Sequence, residues 1–262
     1  MDLQLTGKRA LVTGGSRGIG LAIARVLAAE GAEVAILARD KTRLDAAAAG
    51  LGGRAVGVQA DTGDDESVLA AVASVRARFG GIDILVNNAA EPGGQSQGVP
   101  PSQVSDQQVW DDVNVKVVGY LRTARAVAPL LTAQGWGRIV NIAGLAARSS
   151  GNLVATLRNA GVIALTKNLA DELGSAGVNV TAVHPGLTVT ERTPGIVAAR
   201  ARDWRVSEDE ARRRLAANTA IGRTVTAEEV AWVVAFLASP RSVAINGDAI
   251  TAGGGAIGPI SY

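Results

Sequence analysis

Glycines at positions 14, 15, 18 and 20 punctuate the run Thr13-Gly14-Gly15-Ser16-Arg17-Gly18-Ile19-Gly20, which follows an apolar stretch and opens a helical one. Such a turn lets backbone approach a pyrophosphate closely, and the free N–H groups and dipole of the helix that follows favour an anion there. A carboxylate about 20 residues past the glycines would accept hydrogen bonds from a ribose 2′-hydroxyl, whereas an arginine would accommodate a 2′-phosphate. The chain offers Arg39 at that point and Arg17 inside the turn, two guanidinium groups suited to a phosphate dianion. NADP(H) is therefore expected over NAD(H). Asp40 is the competing residue, because a small loop shift would carry it to the ribose.

Other reactive side chains are few. With no cysteine and a single histidine, His184, the chain can hold neither a thiolate nucleophile nor a Cys- or His-cluster metal centre, and no metal site is expected. His184 titrates near neutrality when unperturbed, and as a strand-end residue it would equally be bonded to backbone. Arg148 and Arg158 are fixed cations able to polarise a carbonyl, with a solvated helix position as the other reading of Arg158. Arg200, Arg202, Arg205, Arg212, Arg213 and Arg214 would suit an acyl-carrier or coenzyme A phosphate. Interleaved with Glu208, Asp209 and Glu210, they read equally as one face of a solvated helix.

These groups must be positioned by alternating strands and helices. Short apolar runs at 10–13, 33–37, 55–59, 84–87, 137–142, 178–183 and 249–251 read as buried strands, and amphipathic stretches at 18–30, 42–50, 64–79, 105–132, 153–174, 207–217 and 227–237 as helices. That alternation predicts one α/β domain over 1–262, with a doubly wound parallel sheet of seven strands and helices on both faces. Two long connections, 91–102 and 187–206, follow predicted strands, where open α/β sheets bind ligands. A hydrophobic fraction of 47% with a net charge of only +2 excludes a disordered chain and gives no reason to expect nucleic-acid binding. No run of about 18 apolar residues occurs and the N-terminus lacks a signal-peptide layout, so a soluble, cytoplasmic protein without membrane contact is expected.

Taken in order, the Thr-Gly-x-x-x-Gly-x-Gly run at 13–20, Asp61, Asn87-Asn88-Ala89-Ala90, Asn114, Pro185-Gly186 with Thr190, Asn246-Gly247-Asp248 and Gly253-Gly254-Gly255 resemble the short-chain dehydrogenase/reductase family over essentially the whole chain. The resemblance implies a Rossmann fold and an oxidoreductase acting on a small carbonyl or alcohol. It implies that Thr13, Gly14, Ser16, Arg17, Gly18, Ile19 and Gly20 form the pyrophosphate turn and that Asp61, with Thr62, holds the adenine. Asn88 and Ala89 then back the cofactor, and Pro185, Gly186, Thr188 and Thr190 meet the nicotinamide, with His184 beside it. Residues from about 187 to 218 would cover the substrate. A homo-oligomer, tetramer or dimer, built through the long helices is also implied.

In that family a Tyr-x-x-x-Lys pair moves the proton, the lysine also holding the ribose, and a serine polarises the same oxygen. The run Ala160-Gly161-Val162-Ile163-Ala164-Leu165-Thr166-Lys167 matches the stretch that follows the lysine, which puts the tyrosine position at Ala155, the lysine position at Asn159, where a cofactor contact is also expected, and the serine position at Ala143 or Gly144. Only Asn114 of the usual four remains. The chain's only two tyrosines, Tyr120 and Tyr262, are not followed by lysine four residues on. Tyr262 would need to reach a neighbouring subunit's cleft to serve. Three readings stay open: an atypical reductase with reassigned proton transfer, a non-catalytic nucleotide binder acting as sensor or partner subunit, and non-redox chemistry in the same cleft.

Overall fold

The structure, a computed structural model, describes residues 1–53, 55–91 and 99–257. Its sheet is formed by β1 (Arg9–Thr13), β2 (Glu33–Ala38), β3 (Ala55–Gln59), β4 (Ile84–Asn87), β5 (Gly137–Ile142) and β6 (Val178–Pro185), followed by two short strands that pair only with each other, β7 (Thr188–Val189) and β8 (Val225–Thr226), and a final sheet strand β9 (Ala249–Ala252). The seven run parallel in the order β3-β2-β1-β4-β5-β6-β9. All seven expected strands are present. The helices are α1 (Gly18–Ala29), α2 (Lys41–Gly50), α3 (Asp65–Phe79), α4 (Asp106–Val113), α5 (Gly119–Ala133), α6 (Leu153–Leu173), α7 (Thr193–Trp204), α8 (Glu208–Ala216) and α9 (Ala227–Ala238).

Burial of both sheet faces explains why the strands read as unbroken apolar runs. Ala10, Val12, Ile36 and Val86 face α1 and α9, whose Ile23, Leu27, Val230 and Val234 complete one core. Leu11, Leu37 and Leu85 face the opposite way, onto Val72 of α3, Leu131 of α5 and Leu169 of α6. Strand order reverses between β1 and β4, which opens a crevice at their carboxyl ends.

Two expectations need correction. The stretch 105–132 is not one helix: a π-helical turn, Asn114–Val118, separates α4 from α5 and re-aims the side chains on it. The connection 187–206 is not loop throughout, because Val197 and Ala201 of α7 pack on Ala211 of α8 in a small core of their own. The apolar residues of α7 were hidden among charges, and its Pro194 at the first turn is a start signal rather than a breaker.

At the opposite, amino end of the strands the sheet is tied by Arg9, which opens β1. Its guanidinium meets the Asp83 carboxylate at 2.7 Å through both Nε and Nη2, and its backbone N–H adds a third bond at 2.9 Å. Burial alone would raise the Asp83 carboxyl, but these bonds outweigh it and hold the group below the usual carboxylate range. A group depressed on folding stabilises above its unfolded pKa and loses that contribution as acid protonates it. Asp83→Asn is therefore expected to cost about 3 kcal/mol at pH 7, and less at pH 3, as read from urea midpoints.

Candidate active site

The crevice is a cleft of about 710 Å³. The glycine turn at its edge is packed hard on one side and open on the other. A Cβ on Gly20 would collide with the Gly14 carbonyl oxygen and the Asn88 amide, whereas a Cβ on Gly18, at φ +55°, would find nothing nearer than 3.7 Å. Thr13 is wholly buried and its Oγ1 accepts from the backbone N–H groups of Asn88 and Ala89 at 2.9 and 3.1 Å. Asn88 in return donates to the carbonyls of Thr13 and Gly14 at 3.1 Å. Thr13 thus locks β1 to the end of β4, while Gly14, Ser16, Arg17, Gly18, Ile19, Asn88 and Ala89 line the cleft. This cradle fits the dinucleotide that the sequence calls for.

Arg17 and Arg39 line the same cleft, joined by Arg43 from the first turn of α2, a third cation that inspection of the glycine motif alone misses. Arg39 pairs with Glu91 at 2.8 Å but remains about half exposed, a contact of little strength that an incoming phosphate can replace. Asp40 is otherwise occupied. Its carboxylate caps α2, accepting from the Arg43 backbone N–H at 3.0 Å. Asp61 accepts from the Gly63 N–H at 2.8 Å and lines the cleft beside Thr62. The far wall is Pro185, Gly186, Thr188 and Thr190, with the Thr188 hydroxyl donating to the Gly186 carbonyl at 3.0 Å.

At the centre, Gly144, Ala155 and Asn159 lie together on the cleft wall. Asn159 is buried, its amide donating to the Ala155 carbonyl at 2.8 Å. Its Oδ1 accepts from Lys116 Nζ at 2.9 Å, and Lys116 also donates to the Ala143 carbonyl at 2.9 Å. The π turn after α4 makes this possible by aiming Lys116 inward, where it is 5% exposed. Sequence reading passed over Lys116, since nothing in its spacing from Asn114 reveals that it reaches Asn159. Arg158 pairs with Asp112 at 2.6 Å, both side chains largely buried, so it is not a solvated helix residue.

The remaining candidates fall elsewhere. His184 is fully buried and is not among the residues lining the cleft; its Nδ1 lies 2.8 Å from the Gly144 carbonyl oxygen. Burial, with Arg148 nearby, pushes its pKa down, so the ring is neutral: Nδ1 donates and Nε2 has no partner among the described residues. Asn114 is committed below the cleft, donating to the Gly63 carbonyl at 3.3 Å and accepting from Arg122 at 2.9 Å. Arg148 approaches Thr251 at 3.4 Å. Arg212, Arg213 and Arg214 pair along α8 with Glu208 and Glu210 on an exposed face. Tyr120 is a core residue whose hydroxyl donates to the Ile142 carbonyl at 3.0 Å, and Tyr262 lies outside the described residues.

Residues 14–256 match the family described as enoyl-(acyl-carrier-protein) reductase. The chain is 37% identical over 253 residues to the short-chain reductase NovJ of Streptomyces niveus, covering 94% of this chain and 92% of the relative. It is 33% identical over 263 residues to the 3-oxoacyl-(acyl-carrier-protein) reductase of Escherichia coli, covering 97% and 98%. The crystal structure of L-sorbose reductase from Gluconobacter frateurii, complexed with NADPH and L-sorbose, superposes with a TM-score of 0.92 at 32% identity, covering 99% of this chain and 100% of that one. With the glycine turn, the parallel sheet and the cleft at its switch point all in place, the chain belongs to the short-chain dehydrogenase/reductase family of oxidoreductases.

Proposed function

We propose that the protein is an NADP(H)-dependent reductase of a small carbonyl substrate whose proton-transfer site has been rebuilt. The cofactor supplies hydride chemistry when bound. Three cations converge at the corner where a 2′-phosphate would sit, Arg17, Arg39 and Arg43, while the neighbouring carboxylates are engaged, Asp40 as the cap of α2 and Glu91 in its pair with Arg39, and this observation carries the reading. The NADPH in the L-sorbose reductase complex supports it. Ala155 and Asn159, at the positions of the family's tyrosine and lysine, carry no group able to exchange a proton near neutrality, so the usual route is closed.

Cofactor titration by fluorescence tests the first half of the proposal. NADPH is expected to bind at least tenfold tighter than NADH, since each charge-assisted bond to the 2′-phosphate contributes roughly 1.5–3 kcal/mol, and Arg39→Asp is expected to invert the order. Equal affinities would overturn the assignment. Single-turnover incubation of the bound reduced cofactor with a panel of ketones and aldehydes tests the second half: oxidation of the cofactor supports a reductase, and tight binding with no oxidation would make the nucleotide a structural or sensory ligand.

A further inference from the structure

Among the described residues, Lys116 lines the cleft beside Ala155 and Asn159 with an N–H to spare. An ammonium has three N–H donors. Two are anchored, on the Ala143 carbonyl and the Asn159 side-chain oxygen, and among the described residues the third has no acceptor. The geometry suits both protonation states: an ammonium offers the third proton to the cleft, and the neutral amine left behind keeps both anchors. Ala155, which lines the cleft next to Asn159, contributes only a methyl group there.

We propose that Lys116 is the proton donor of this site, delivering a proton from Nζ to the substrate's carbonyl oxygen as hydride reaches the carbonyl carbon. The inference rests on the NADP(H) reductase reading above. The carbonyl π bond breaks, a C–H and an O–H bond form, the reduced nicotinamide is oxidised to NADP⁺, and Lys116 is left as a neutral amine that recovers a proton from cleft water. Three charged or titratable side chains face it. Arg158 of α6 is a buried cation, Asp112 of α4 is that cation's partner, and His184 of β6 is held neutral. Burial, reinforced by Arg158 and opposed by Asp112, brings the Lys116 pKa down to about 7. A general acid works best with a pKa near the working pH. Asn159 is then a positioning residue, its Oδ1 anchoring the amine at 2.9 Å.

The chain has only four lysines, Lys8, Lys41, Lys116 and Lys167, so ¹³C-lysine NMR of the cofactor-free protein resolves the matter without turnover. One signal is expected to titrate near pH 7 and to be missing from Lys116→Gln; four signals titrating near the ordinary lysine value would overturn the proposal. With NADPH bound, the single-turnover rate is expected to fall as pH rises through 7, and Lys116→Gln to lose about a hundredfold or more while NADPH affinity stays within a few-fold. Lys116→Arg separates proton donation from mere positive charge. The arginine keeps the cation but holds its proton, so it should be as slow as the glutamine variant; a fast arginine variant, or a glutamine variant as fast as wild type, would overturn the role. Failure of NADPH to bind would instead overturn the reductase reading, and is scored separately from the lysine titration. Tight binding without any reduction by the wild type would overturn both.

Discussion

Lys116→Met is expected to make the protein more stable at pH 6 and less stable at pH 10. A lysine whose pKa falls from 10.5 to about 7 on folding is protonated in the unfolded chain and neutral in the native one throughout that interval. The unfolded state binds the extra proton, so stability rises with pH across the window, by about 1.4 kcal/mol per unit. Below pH 7 the full difference, about 5 kcal/mol, weighs against folding. Methionine removes that burden and fills similar volume, but it leaves the Ala143 carbonyl and the Asn159 Oδ1 without their donor, at a cost of roughly 1–3 kcal/mol. The net gain expected at pH 6 is about 2 kcal/mol, reversing in sign near pH 10, where the native amine is neutral and only about 0.8 kcal/mol of the charge penalty remains. Urea midpoints of both proteins at the two pH values measure it. A methionine variant less stable at pH 6 by the same margin as at pH 10 would mean that Lys116 carries no charge strain.

Restoring the family's catalytic side chains is expected to return reduction to a site from which Lys116 has been removed. A lysine at 159 would replace the amide oxygen that now lies 2.9 Å from Lys116 Nζ, bringing two ammonium groups into one buried site. At about 4 Å and an effective dielectric of 20 their repulsion is about 4 kcal/mol. Shedding the Lys116 proton at pH 6 costs only about 1.4 kcal/mol, so the graft folds but silences Lys116. Gly144→Ser adds a Cβ that would sit 3.2 Å from the Asn159 amide, a contact relieved when residue 159 changes too. The combination Lys116→Ser, Gly144→Ser, Ala155→Tyr, Asn159→Lys is therefore expected to reduce ketones about 10²–10⁴-fold faster than Lys116→Ser alone, the range of a positioned general acid. The measurement is single-turnover oxidation of bound NADPH. No gain in the fourfold variant would show that the cleft does not present a carbonyl where a tyrosine at 155 could reach it.

What the sequence by itself determined was everything that depends on periodicity and on local backbone chemistry. The strands were legible because both sheet faces are buried, which leaves runs such as Ala-Leu-Val at 10–12 wholly apolar. The glycine turn was legible because Gly20 and Gly14 stand where any side chain would strike backbone, a requirement that only residue type can satisfy. The reading of 155 and 159 as the family's tyrosine and lysine positions rests on register against the neighbouring residues of α6.

Tertiary structure alone decided what the polar side chains do. Asp40 and Arg39 are adjacent in sequence, and only the start of α2 turns one into a cap and leaves the other at the cleft. His184 has the right residue type at the right strand end, yet Nδ1 bonds to the Gly144 carbonyl oxygen beneath the cleft rather than within it. Lys116 lies 43 residues from Asn159 and joins it only because a π turn rotates the chain between α4 and α5. A side chain's direction at such a turn is set by one extra residue in the helical repeat, and its pKa by the burial and charges that direction brings it among; neither is written in the spacing of residues along the chain.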